Sequence, residues 1–183
     1  MMQMNKKGEL FDAFADELLA ERHPRPLVIV GASKVDHLLA EILVSFLLPK
    51  IAKEKQPDEL LDGDTPLSTL SARIKICRRL GLIDSSLYSA LEVLRKIRNY
   101  SAHSVSFDHS KSPVREHIGE LKKKLVERRS FKLTKQTYFN DETLSPDEEL
   151  QCLLLTLCVL LEAIREKTKP TLGSKKAQAI ARK

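Results

Sequence analysis

Arg98, Asn99 and His103 are the residues whose types and spacing most directly suit acid–base or anion chemistry. An imidazole titrates near neutral pH and can serve as a general acid or base. A guanidinium can hold an oxyanion through paired N–H donors. An asparagine can orient either one. On a helix turning about 100° per residue, Leu87, Leu91, Leu94 and Arg98 fall within about 60° of one another. Arg98 thus continues an apolar stripe, and the spacing predicts a guanidinium that is at least partly buried and needs partners. Asn99 and His103 are neighbours one turn apart. Arg98 and His103 diverge by about 140° on a straight helix, so they converge only if the helix ends near Ser101 or across a dimer interface. The structural alternative has Arg98 paired with a buried acid and His103 closing a helix C-terminus.

Other residues of chemical interest are weaker. Asp58, Asp62 and Asp64 resemble a carboxylate cluster, but the calcium-loop pattern and its closing Glu are absent. They read as turn and cap residues, so no metal is expected. The five histidines, His23, His37, His103, His109 and His117, show no metal spacing. There is no G-x-x-x-x-G-K-[ST], G-x-G-x-x-G, H-E-x-x-H or G-x-S-x-G, and no cofactor is expected. Cys77, Cys152 and Cys158 form no C-x-x-C pair and read as reduced core thiols of a cytoplasmic protein.

The chain has 31 basic and 25 acidic residues, a net charge of +6. Residues 169–183 hold Lys169, Lys175, Lys176, Arg182 and Lys183 and no acid, so nearly all the excess lies in a basic tail. Lys175, Lys176, Arg182 and Lys183 are the candidate nucleic-acid contacts. A second basic run, Arg115 to Lys135, reads more simply as a solvated face. Arg73 to Arg79 followed by Gly81 superficially suggests a helix-turn-helix, but the next helix begins Ser-Ser-Leu-Tyr-Ser without a basic side chain.

The elements that must position these residues are helical. With 42% hydrophobic and 31% charged residues, the composition is that of a soluble globular protein. Only 5% aromatics and no Trp argue against a sandwich or barrel. The longest apolar run, Leu153 to Leu161, is about half a membrane span. The N-terminus lacks the apolar core of a secretory signal. Helices are predicted over residues 8–22, 26–54 with a kink at Pro49, 66–80, 85–100, 112–129 and 146–167. The long second helix is apolar nearly all round and should be central. Thr65-Pro66, Ser112-Pro113 and Ser145-Pro146 each place a capping hydroxyl before a proline, and Asp84 caps the fourth helix. Gly81 fits a left-handed C-cap. Residues 130–144 read as a polar loop, with Phe131 to Phe139 the one place for a short strand. The sum is an all-α bundle of about six helices, with one domain over residues 1–168 and a basic tail over 169–183.

Two stretches also carry a family resemblance. Leu60-Leu61-Asp62-Gly63-Asp64-Thr65-Pro66-Leu67, with Arg73 in the following helix, precedes Leu80-Gly81-Leu82-Ile83 and a helix ending near Asn99 and His103. Their order and spacing resemble the mannitol operon repressor (MltR-like) family over roughly residues 25–130. The resemblance implies an all-helical, cytoplasmic, self-associating protein of transcriptional regulation without a recognised DNA-binding motif. It would be a homodimer acting through a protein partner, with Asp62, Gly63, Asp64, Pro66 and Arg73 as motif residues. Read without the family, the loop is a rigid corner that docks one helix on the long central one.

Arg98-Asn99-Tyr100-Ser101-Ala102-His103 also resembles the R-[N/D/H]-x-x-x-H signature of HEPN-type helical ribonucleases. That resemblance implies metal-independent RNA cleavage by a toxin or defence effector. His103 would be its acid or base, Arg98 would hold the scissile phosphate, and Asn99 would orient one of them.

Overall fold

The computed structural model describes residues 2–47 and 56–169. Its elements are α1 (Met2–Ala20), α2 (Pro24–Phe46), α3 (Leu70–Arg79), α4 (Ser85–His103), α5 (Val114–Leu125), α6 (Arg129–Phe139) and α7 (Pro146–Lys167). The fold is an all-α bundle, and no strand occurs among the described residues. The expected loop over 130–144 instead contains α6, which buries Phe131 and Thr134 and ends on Asn140 in the left-handed conformation. Phe131 is the one apolar residue buried on this helix, and so thin a stripe obscures a helix in the sequence.

The centre is shared by α2 and α7. Every residue of α7 from Leu150 to Cys158 is buried. A helix closed on all sides needs neighbours all round, and α1, α2, α5 and α6 supply them. Each leucine sealed there contributes about 1.5–3 kcal/mol of transfer free energy. Packed against α7, α4 and α3, α2 buries Leu27, Val28, Ala32, Val35, Leu38, Leu39, Ile42 and Leu43. At Gly31 the two helices approach so closely that an added Cβ would lie 2.9 Å from Leu154 Cδ1. Gln151 is buried among the leucines, but its amide donates to the carbonyls of Leu18, Leu19 and Glu21 at 3.1–3.3 Å. One side chain thus satisfies three backbone acceptors at the end of α1.

The capping signals divide. Ser145 and Glu148 form a complete capping box at α7, with Pro146 in the first turn. Asp84 Oδ1 accepts from Leu87 N at 2.6 Å and starts α4. Gly81, at φ +73°, closes α3 with Leu82 N donating to Cys77 O at 2.9 Å and Gly81 N to Arg78 O at 3.2 Å. Two expected caps are used otherwise. Thr65 Oγ1 donates to Leu60 O at 2.7 Å, and α3 begins later, capped by Thr69. Ser112 Oγ donates to Glu116 Oε1 at 2.7 Å, and Pro113 stands at the N-cap of α5 without a side-chain cap. α2 ends at Phe46, eight residues short of the expected end, and Pro49 lies outside the described residues.

Candidate functional site

The loop before α3 is held by a single arginine. Arg73 Nε donates to Leu67 O at 2.8 Å, Nη2 to Leu61 O at 2.8 Å and Nη1 to Asp36 Oδ2 at 2.8 Å. A guanidinium presents donors in a rigid fork, so one side chain joins both ends of the loop to α2. The loop closes on itself as well. Asp58 N donates to Asp62 Oδ2 at 2.8 Å, and Leu67 N to Leu60 O at 2.8 Å. Gly63 sits at φ +72°, a conformation costly for other residues. Asp64 and Pro66 are exposed. Asp58 and Asp62 thus act as turn acceptors, in line with the corner reading. Among the described residues, no group of three or more His, Cys, Asp or Glu could hold a metal ion.

This corner forms one wall of a cleft of about 460 Å³ between α2, the start of α3 and the end of α4. Ala32, Ser33 and Asp36 come from α2, Ser68 to Ser71 from the corner, and Arg95, Arg98 and Asn99 from α4. The cleft explains a correction. Arg98 does continue the stripe of Leu87, Leu91 and Leu94, yet it is exposed. α3 starts too late to cover it, and at this end the stripe opens onto water. Ile97 and Ser101 take the buried positions instead. Arg98 Nη1 donates to Asn99 Oδ1 at 3.2 Å, and among the described residues no buried acid receives it. Arg95, by contrast, is paired with Glu92, Nη2 to Oε2 at 2.9 Å.

His103 belongs to the last turn of α4 and is exposed. The helix runs through Ser101, so Arg98 and His103 stay about 140° apart, and within one chain they do not converge. Arg98 and Asn99 line the cleft, and His103 does not. Arg95, Ser68 and Ser71, which sequence reasoning left aside, join them. The corner hydroxyls and the α4 arginines lie in separate segments, and no local spacing announces that they meet.

Half of the basic run is tied down in ion pairs. Arg128 reaches Asp84 at 3.0 Å, Lys124 reaches Glu120 at 3.5 Å, Lys135 reaches Asp141 at 3.3 Å, and Lys122 pairs with Glu149. Arg115, Lys123, Arg129 and Lys132 are exposed. Lys175, Lys176, Arg182 and Lys183 lie outside the described residues.

The class defined by this architecture is an all-α bundle with a polar cleft at its α2–α3–α4 end. No helix among the described residues is long and apolar enough to cross a membrane. Two solved structures share the fold. The X-ray structure of the MtlR–HPr complex from Escherichia coli matches with a TM-score of 0.57 at 18% identity, over 85% of this chain and 98% of that one. The crystal structure of a possible transcriptional regulator, YggD, from Shigella flexneri 2a str. 2457T matches with a TM-score of 0.59 at 14% identity, over 84% and 98%. No family model and no curated protein matches the chain. At these identities the likeness is one of fold alone.

Proposed function

We propose that this chain is a regulator of the mannitol operon repressor type that controls transcription through a protein partner. The observation that carries this reading is the fold likeness to MtlR, solved in complex with HPr, over 85% of this chain. The motif residues support it, because Arg73 binds the Leu61–Leu67 corner to Asp36 as a built unit. In this reading residues 1–168 are the helical unit and residues 169–183 a basic tail. The protein is cytoplasmic and homodimeric. The tail, through Lys175, Lys176, Arg182 and Lys183, gives DNA contact without base readout. No observation favours RNA cleavage, since Arg98 and His103 are both exposed and diverge along α4.

The test is calorimetric titration of the full chain with HPr, beside DNA binding across a salt series for the full chain and for a chain ending at residue 168. Saturable HPr binding is expected. The shortened chain should bind DNA more weakly, with a flatter dependence on salt. No heat of binding to HPr, with DNA binding identical in the two chains, would overturn the reading.

A further inference from the structure

We infer that the cleft between α2, α3 and α4 is a binding site for a small organic oxyanion, held chiefly by Arg98. This inference stands apart from the regulatory reading and rests on which polar groups of the cleft remain unused.

The carboxylates nearby are each paired with an arginine. Asp36 lines the cleft, and its Oδ2 accepts from Arg73 at 2.8 Å, while its Oδ1 is buried without a partner among the described residues. Glu92 is held by Arg95, with Nη2 to Oε2 at 2.9 Å. Arg98 remains as a guanidinium whose one hydrogen bond among the described residues goes to the neutral oxygen of Asn99. The cleft therefore carries a net positive charge at its α4 wall.

Apart from the buried Asp36 Oδ1, the following groups are donors. Asn99 has its oxygen occupied by Arg98, which leaves its NH₂. Thr69 Oγ1 already accepts from Ala72 N at 3.2 Å, which leaves its hydroxyl hydrogen. The Ser71 hydroxyl has no partner among the described residues, and as first-turn residues of α3, Leu70 and Ser71 have N–H groups without an intrahelical acceptor. A wall of guanidinium, amide and hydroxyl donors calls for an acceptor-rich ligand, and carboxylate or phosphate oxygens fit it best. Size adds a second constraint. A cleft of about 460 Å³ lies in the range of small-molecule sites and exceeds a bare inorganic anion several-fold. Its polar lining suits a small, polar organic body attached to the anionic group.

The experiment titrates the full chain with inorganic phosphate and, separately, with citrate, at ionic strength held constant with sodium chloride. Backbone amide NMR shifts and heat are the readouts. Saturable binding of at least one probe is expected, with shifts confined to Ser68–Ser71 and Arg95–Asn99. Whichever probe binds more tightly identifies the phosphate or the carboxylate. Arg98→Gln should weaken binding about tenfold or more, the scale of a charged hydrogen bond. Asn99→Asp, which places a carboxylate on the wall, should weaken it at least as much. Lys123→Gln, an exposed lysine on α5, should leave it unchanged. Failure of both probes to saturate, or equal losses in Arg98→Gln and Lys123→Gln, would overturn the site and reduce any binding to general charge attraction. Arg98 is exposed and Asn99 half-buried at the cleft, and unchanged thermal melting of the variants separates lost binding from lost folding.

Discussion

Arg73 Nη1 lies 2.8 Å from Asp36 Oδ2, joining α3 to α2 across 37 residues of chain. The Arg73 side chain is 11% exposed, and its other donors serve the carbonyls of Leu61 and Leu67. Removing it leaves three acceptors without their donor in a partly buried corner. Arg73→Ala should therefore cost about 2–4 kcal/mol of stability. Arg73→Lys should recover only part of this, because one ammonium cannot reproduce the fork. Urea unfolding at pH 7 reads both values. A lysine variant as stable as the parent would mean that the charge alone matters and the fork does not.

Gly31 gives a packing prediction of opposite origin. An alanine there would favour the helix by up to about 1 kcal/mol through propensity. Its Cβ would meet Leu154 at 2.9 Å from Cδ1, 3.0 Å from Cδ2 and 3.2 Å from Cβ. Leu154 is fully buried and has no free side to move toward. Overpacking of about 1–3 kcal/mol should prevail. Gly31→Ala is expected to lower the urea midpoint, and Gly31→Val to lower it further. A more stable Gly31→Ala variant would show that α2 and α7 slide apart at little cost.

These cases mark how far the sequence could be read. Asp84, Gly81 and Ser145 announce themselves because a cap is a local device, written within a few residues of where it acts. Thr65-Pro66 has the same local appearance, yet its hydroxyl is drawn to Leu60 O by a loop whose closure depends on Arg73. The inward course of Arg98 failed for a related reason. Periodicity gives the direction of a side chain but not whether another element covers it, and α3 begins too late to cover this one. Of the cleft residues on α4, Arg98 and Asn99 were visible as a motif. Their partners Ser68, Thr69 and Ser71 were not, because only tertiary folding brings them there.

Acid should loosen the caps in a defined direction. Burial pushes the Asp84 carboxyl up, but the Leu87 N–H and the Arg128 guanidinium outweigh it and hold the group below its ordinary value. The Ser145 N–H and hydroxyl lower Glu148. The Ser110 hydroxyl and N–H, with Lys111, bring Asp108 down to about 2. Each folded pKa is depressed, so the stabilisation is complete above the unfolded values of about 4 and is lost as pH falls through the folded ones. Urea midpoints should fall between about pH 5 and pH 2 on this account. Asp84→Asn keeps a capping oxygen but removes the charge, and its acid limb should be shallower. An unaltered limb would assign the acid sensitivity to other carboxyls.

The three thiols should be silent until the core opens. Cys77, Cys152 and Cys158 are unpaired and buried. Burial pushes their pKa values up to about 12, 11 and 12 respectively, and at Cys152 the Thr156 hydroxyl offsets only part of the rise. The thiolate is the nucleophile, so at pH 8 well under 1% of each group is reactive, even before access is considered. Cys152 and Cys158 lie within the run of α7 that is closed on every side, so a reagent reaches them only when the helices packed around α7 separate from it. A disulfide-exchange reagent at pH 8 should modify none of the three in the native protein within minutes, and all three in concentrated urea. Their rates in intermediate urea should follow the global unfolding transition, because they share one core. Early modification of Cys77 alone would instead show that α3 and its corner open as a separate unit, with the α2–α7 pair still closed.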